Sequence, residues 1–248
     1  MTTNLQRYLQ TVADARRREL IPLVFHYTQG TVQQGPFAGM IINPYSMWGD
    51  GDVVGKLLGV YENELHEFVE HAVQANHDAV INIGAAEGYY SIGFATKLPT
   101  VPVLAVDIDA RSATVVQINA VSNHVDNVQT VTAKVDAAWL EQHCAAYQRP
   151  LLVVDCEGAE LELLDPAAVP SLARASVIVE SHDCIVADIT HTLQQRFANT
   201  HQVVTVSQCY KDPYQFEFLQ ELSDCDKWAL VHEGRPSTMS WLYMTPLT

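Results

Sequence analysis

Basic residues are scarce. In 248 residues, 14 Lys and Arg stand against 29 Asp and Glu, a formal net charge of −15. That balance disfavours nucleic acid as a substrate, because phosphate binding needs a basic face and gains from counterion release. An anionic membrane surface is disfavoured for the same reason, and no apolar run approaches the roughly 20 residues that cross a bilayer. Cysteine is sparse as well: Cys144, Cys156, Cys184, Cys209 and Cys225 are odd in number and form no C-x-x-C pair. A disulfide framework and a cysteine zinc site are therefore not expected. The N-terminal stretch Met1 to Arg7 has no apolar core or small-residue cleavage site, so a reducing, cytoplasmic setting is expected. Neither G-x-G-x-x-G nor G-x-x-x-x-G-K-[ST] occurs, which withdraws support from an NAD-dependent oxidoreductase and from nucleoside triphosphate hydrolysis.

The chain holds 48% hydrophobic and 17% charged residues, a globular and not a disordered composition. No repeat or low-complexity segment is present. The first 20 residues read as a helix carrying Leu5, Leu9, Val12 and Leu20. Residues 21–60, rich in glycine with interspersed aromatics, read as turns and short strands. They are too apolar for a linker, so residues 1–60 are expected to be a helix and cap packed on a domain of residues 61–248. Residues 61–76 read as an amphipathic helix with Leu65, Phe68, Val69 and Val73 on one face. Short apolar strands then alternate with helices: 79–84, 103–109, 128–133, 150–155, 175–180 and 201–208, with a last strand at 238–245. Apolar strands of this kind imply a mostly parallel α/β sheet buried on both faces. Ligands then sit at the carboxyl ends of the strands, where Asp107, Asp155 and Glu180 stand.

Four segments carry candidate chemistry. In "NIGAAEGYYS" (82–91), Gly84 and Gly88 bracket a strand-to-helix turn whose free N–H groups face a ligand site; an ordinary tight connection reads the same way. Asp107, ending the next strand, is placed to accept two ribose hydroxyls, or else to cap the following helix, as Asp109 also can. In "VVDCEGAELELLDP" (153–166), helix-dipole stabilisation accounts for Glu160 and Glu162, whereas Asp155 emerges straight from an apolar strand into the cleft. In "VIVESHD" (177–183), Glu180, His182 and Asp183 crowd the neighbouring strand end, about 4.8 Å away. Asp155, Glu180 and His182 suit a divalent cation (Mg²⁺, Ca²⁺ or Mn²⁺), or His182 acts as a general base, or the three form a buried hydrogen-bonded cluster. Tyr61 and Glu62 either close over a bound cofactor or start a helix. His26, His66 and His71 read as surface or packing residues.

Taken together, "VINIGAAEGYYSIGFA", "VLAVDIDA", "VVDCEGAELELLDP" and "VIVESHD" resemble the FkbM-like S-adenosylmethionine-dependent methyltransferases over residues 61–245, with D-x-E-G-A-E the most specific piece. Asn82 stands where many of those proteins carry Asp. The resemblance implies a class I methyltransferase (Rossmann-like) fold, a seven-stranded sheet whose last strand is antiparallel. It implies S-adenosyl-L-methionine as cofactor, with Asn82, Gly84, Ala85, Glu87 and Gly88 at the methionine part, Asp107 and Ile108 at the ribose, Asp136 near the adenine and Asp155 at the methyl-donating end. Tyr61 joins that set as a residue closing over the cofactor. The expected acceptor is a hydroxyl of a small molecule, a sugar or secondary metabolite, with Asp155, Glu180 and His182 as catalytic residues and Phe37, Tyr45, Met47 and Trp48 as an acceptor wall. No nucleic acid or membrane partner is expected, and homo-oligomer formation is left open. The competing reading is a cofactor-binding or interaction protein that has lost activity on the same fold.

Overall fold

The computed structural model describes residues 4–44 and 52–247. The sequence places β-branched and leucine side chains at successive positions of its strands, and a strand sends successive side chains to opposite faces. Leu151 and Val153 accordingly join one hydrophobic core, and Leu152 and Val154 the other. The seven strands are β1 (Ala79–Ile83), β2 (Val103–Asp107), β3 (Val128–Thr132), β4 (Pro150–Val154), β5 (Ser176–Ser181), β6 (His201–Ser207) and β7 (Ser240–Pro246). They form one sheet in the order β3-β2-β1-β4-β5-β7-β6. Pairing is parallel from β3 across to β5, while β7 runs antiparallel between β5 and β6. This is the class I methyltransferase topology expected above.

The helices that cover the sheet are α3 (His66–Gln74), α4 (Tyr89–Lys97), α5 (Ala110–Ser122), α6 (Ala137–Cys144), α7 (Glu160–Leu163), α8 (Ile189–Phe197) and α9 (Asp224–Val231). The last lies in the long connection between β6 and β7. Two further helices precede these. α1 (Asn4–Thr28) continues eight residues beyond the expected end, through Pro22, and α2 spans Val53–Leu58. The expectation of turns and short strands over 21–60 therefore fails at both ends of that segment. Leu20, Ile21 and Val24 make an i, i+1, i+4 stripe, and they share one core with Leu57 and Leu58 of α2 and Leu230 and Val231 of α9. Tertiary burial of that stripe outweighs the helix-breaking tendency of Pro22. Among the described residues between these helices, only the Thr31–Ile41 bridge resembles a strand pair. The helix expected over 61–76 is also interrupted. Glu62 has φ +44, Asn63–Leu65 is a 3₁₀ turn, and the α-helix begins at His66. No described helix is long and apolar enough to cross a membrane.

Where β1 and β4 end side by side, the amide N–H of Asp155 donates to the Ile83 carbonyl at 2.9 Å. Gly84 follows with φ +81, and a Cβ built on it would lie 1.7 Å from the Asp155 carbonyl oxygen. Neither the left-handed backbone nor the contact admits a side chain. Gly84→Ala is expected to destabilise the fold by more than ~4 kcal/mol, the range of exceptional single substitutions. Thermal or urea unfolding of the purified variant measures this.

Candidate functional site at the strand carboxyl ends

A cleft of about 370 Å³ opens at the carboxyl ends of β1, β2 and β4. Ile83, Val106, Ile108, Val135 and Leu163 supply apolar wall, and Lys56, Asp107, Lys134, Asp155 and Glu157 the polar groups. Asp107 Oδ2 accepts the Ala86 N–H and Oδ1 the Asp109 N–H, both at 2.8 Å. The helix cap is Asp109, whose side chain accepts the Arg111 N–H, so Asp107 remains directed at the glycine loop and the cleft. Ile108 is exposed at the rim, and Tyr61 lies on the opposite side with Lys56 Nζ 4.5 Å from its ring centroid.

Of the residues expected at the cofactor, Tyr61, Gly84, Asp107, Ile108 and Asp155 line this cleft. Asn82, Ala85, Glu87, Gly88 and Asp136 do not. Asn82 is buried, accepts the Ser91 hydroxyl at 2.7 Å and so braces α4 against β1. The Ala85 N–H is spent on the Val106 carbonyl at 3.0 Å. Glu87 is buried in an ion pair with Lys56, which also pairs with Asp52 at 2.7 Å. Gly88 caps α4, and a Cβ there would stand 3.0 Å from Val116, so its glycine serves the packing of α4 on α5. Asp136 caps α6 by accepting the Trp139 N–H at 2.8 Å. Phe37 is buried with its ring edge-on to Tyr89, Tyr90 and Phe94, a packing role. Tyr45, Met47 and Trp48 lie outside the described residues.

Beyond β4 the chain turns through Glu157 and Gly158, at φ +53 and +103, into α7. This turn brings Glu160, with no exposed surface, to 2.7 Å from Nδ1 of His182, which leaves β5 alongside. The same Glu160 oxygen accepts the Gly158 N–H at 3.1 Å. The helix-dipole account of Glu160 therefore gives way: its partner is an imidazole 22 residues further on, at the end of the adjacent strand. Burial raises the Glu160 pKa, but the bond from His182 and the backbone N–H groups prevail and hold it below the ordinary carboxylate range. Burial lowers the His182 pKa, yet its hydrogen bond to Glu160 and the nearby Asp155 raise it on balance. The Nε2 side of the ring faces Asp155 at 3.6 Å and Glu157 at 3.5 Å. Among the described residues Asp155 Oδ1 is buried without a hydrogen-bond partner.

Glu180 does not join this group. Arg235, from the connection between α9 and β7, pairs with Glu180 and also with Glu62 at 2.5 Å and Glu233 at 2.7 Å. Lys211 pairs with Glu233 at 2.9 Å and Glu64 at 3.3 Å. Four buried carboxylates thus share two cations. Asp183, grouped with Glu180 and His182 by sequence, instead accepts the Ser181 hydroxyl at 2.8 Å. Lys56, Lys211 and Arg235 escaped the sequence reading, and Glu157 carries no role there beyond its place in D-x-E-G-A-E. Lys211 and Arg235 come from the far end of the chain to the carboxylates they pair with, and carry no local signal.

No protein-family model matches the chain, and no curated protein matches its sequence. Solved structures of similar shape include precorrin-6Y C5,15-methyltransferase from Geobacter metallireducens (10% identity, 75% of this chain and 88% of that one, TM-score 0.46). Another is the O-methyltransferase TomG from Streptomyces achromogenes, in complex with S-adenosylmethionine (12% identity, 71% and 77% covered, TM-score 0.46). A third is a ribosomal protein L11 methylase from Lactobacillus delbrueckii (13% identity, 76% and 81% covered, TM-score 0.44). At such distances nothing of their chemistry passes to this chain, and the fold assignment rests on its own strand order.

Two outcomes follow from the charge arrangement. Arg235→Met, which leaves buried carboxylates uncompensated, is expected to cost about 3–5 kcal/mol in chemical unfolding. Burial, and then the Glu62 charge, push the Asp155 pKa up to about 7. A carboxyl raised above its unfolded value stabilises the fold fully only below that unfolded value, and the contribution is lost as pH rises through about 7. Asp155→Asn is therefore expected to raise Tm in metal-free buffer, by more at pH ~8 than at pH ~5; scanning calorimetry at both values checks the sign.

Proposed function

We propose that the chain is an S-adenosylmethionine-dependent methyltransferase acting on a hydroxyl of a small molecule. The observation that carries this reading is the convergence on one cleft of Asp107 at one end and Asp155 with His182 at the other. The donor set fits the cofactor. Asp107 spends one acceptor site of each oxygen on a backbone N–H, and an ionised carboxylate has about four, so sites remain for two ribose hydroxyls. Ile108 and Val135 offer apolar wall to a flat base. When bound, S-adenosylmethionine supplies a methyl group already made electrophilic by its sulfonium.

The chain's own residues then have two tasks. One is to hold the acceptor oxygen in line with the methyl group, which makes an encounter of two molecules into a step within one complex. The other is to draw the proton from a neutral hydroxyl, a poor nucleophile. The Asp155, Glu157 and His182 group is the place for that second task, because Glu160 fixes the ring through Nδ1 and leaves Nε2 toward Asp155 and Glu157, which line the cleft. Glu180 is held by Arg235 and takes no part in this group.

Calorimetric titration with S-adenosylhomocysteine tests the reading. Micromolar binding is expected, weakened at least about tenfold by Asp107→Ala. With a labelled methyl donor and a panel of hydroxylated acceptors, Asp155→Ala is expected to abolish transfer. Absence of binding by the folded protein overturns the proposal in favour of an interaction protein on this fold.

A further inference from the structure

We infer that Asp155, Glu157 and His182 form a binding site for one divalent cation of borderline hardness, such as Mn²⁺, with Glu160 as the residue that orients the imidazole. The inference rests on the methyltransferase reading only for the cation's role, not for its existence.

Three donors arrive from three points of the chain: the end of β4, the turn after it and the end of β5. One ligand atom from each lies within 4.8 Å of the others. Acidic residues alone would be a common surface feature, but this group contains more. His182 is 5% exposed, and among the described residues its only side-chain hydrogen bond is the one from Nδ1 to Glu160, so Nε2 is left directed at the two carboxylates. Asp155 Oδ1 is buried and has no hydrogen-bond partner among the described residues. Among the described residues neither Asp155 nor Glu157 pairs with Lys or Arg. The Nε2 side of a buried ring and an orphaned carboxylate oxygen face each other across 3.6 Å, an arrangement that a cation between them would satisfy.

The second layer supports the same conclusion. A metal-binding imidazole characteristically donates its other N–H to a carboxylate, which fixes the tautomer and strengthens the ligand. Glu160 stands in that position at 2.7 Å, with no exposed surface and a second bond from the Gly158 N–H. The donor set selects the cation class. Two carboxylates and one imidazole suit a borderline ion better than Ca²⁺, which prefers oxygen alone, and three donors leave coordination positions open. Within the proposed function, a cation there would hold the acceptor oxygen and lower the pKa of its proton, which leaves to water. Glu180, which the sequence groups with Asp155 and His182, is absent from this set because Arg235 holds it.

The test uses the full chain freed of metal by a chelator and then titrated with MnCl₂, followed by calorimetry and by loss of the free-ion electron paramagnetic resonance signal. One Mn²⁺ per chain at micromolar Kd is expected. Glu157→Gln, at an exposed turn position that does not endanger folding, is expected to weaken binding at least tenfold. Glu160→Gln is expected to weaken it by about 10–100-fold, the usual effect of removing such an orienting partner. Glu162→Gln, exposed on the same short helix, is expected to leave it unchanged. No binding by the unsubstituted chain, or equal binding in Glu157→Gln and Glu162→Gln, overturns the inference. Titration with S-adenosylhomocysteine in parallel separates the two readings, since cofactor binding without Mn²⁺ binding removes the cation site and leaves the methyltransferase proposal standing.

Discussion

The carbonyl oxygen of Asp155 occupies the space where any side chain at position 84 would begin. That contact holds the glycine turn after β1 against the acidic turn after β4, and the cleft is the hollow left in front of them. The Asp155 backbone bond to Ile83 keeps the two strand ends level. With the ends level, Asp107 and Asp155 face one cavity and not two. The parallel pairing of β1 with both β2 and β4 makes this arrangement available; the glycine makes it close enough to use.

Carboxyl groups outnumber cations near Asp155. Glu62, Glu64, Glu180 and Glu233 share Lys211 and Arg235, and Asp155 stands beside this group with its pKa displaced upward by burial and by Glu62. A protein does not keep unbalanced carboxylates in a low-dielectric setting without cost. Such surroundings favour a positive group, and the sulfonium of the proposed cofactor and the proposed divalent cation both answer that description. The arrangement also ties the connection between β6 and β7 to the candidate site, because Arg235 belongs to that connection and pairs with Glu180 of β5 and with Glu62 ahead of α3.

Much of the architecture was legible in the sequence because it depends on local pattern. Runs such as "PLLVV" and "SVIVE" must be buried on both faces, and their alternation with helices leaves few topologies. Asp155 and His182 were visible because a charged residue directly after an apolar strand is placed at the strand's carboxyl end. The failures have a common cause. Glu160 looked like a first-turn helix acid, since nothing local distinguishes an exposed glutamate from one buried against an imidazole. Glu180 looked like a member of the site because it ends a strand, yet its side chain turns to an arginine 55 residues further on. Gly88, Asn82 and Glu87 belong to a motif that meets ligands in general form, whereas here α5, Ser91 and Lys56 occupy them.

The sequence by itself determined the mixed seven-stranded sheet, the strand ends on which acids stand, and the turn that only glycine can make. These follow from periodicity, burial and backbone sterics, which act over a few residues. Tertiary structure alone decided which acids meet which bases. It set Glu160 on His182, removed Glu180 to Arg235 and brought Glu157 into reach of the imidazole Nε2. Such pairings depend on the distance between side chains carried by different elements, and at the separations of a buried cluster a shift of one residue in register exchanges one partner for another.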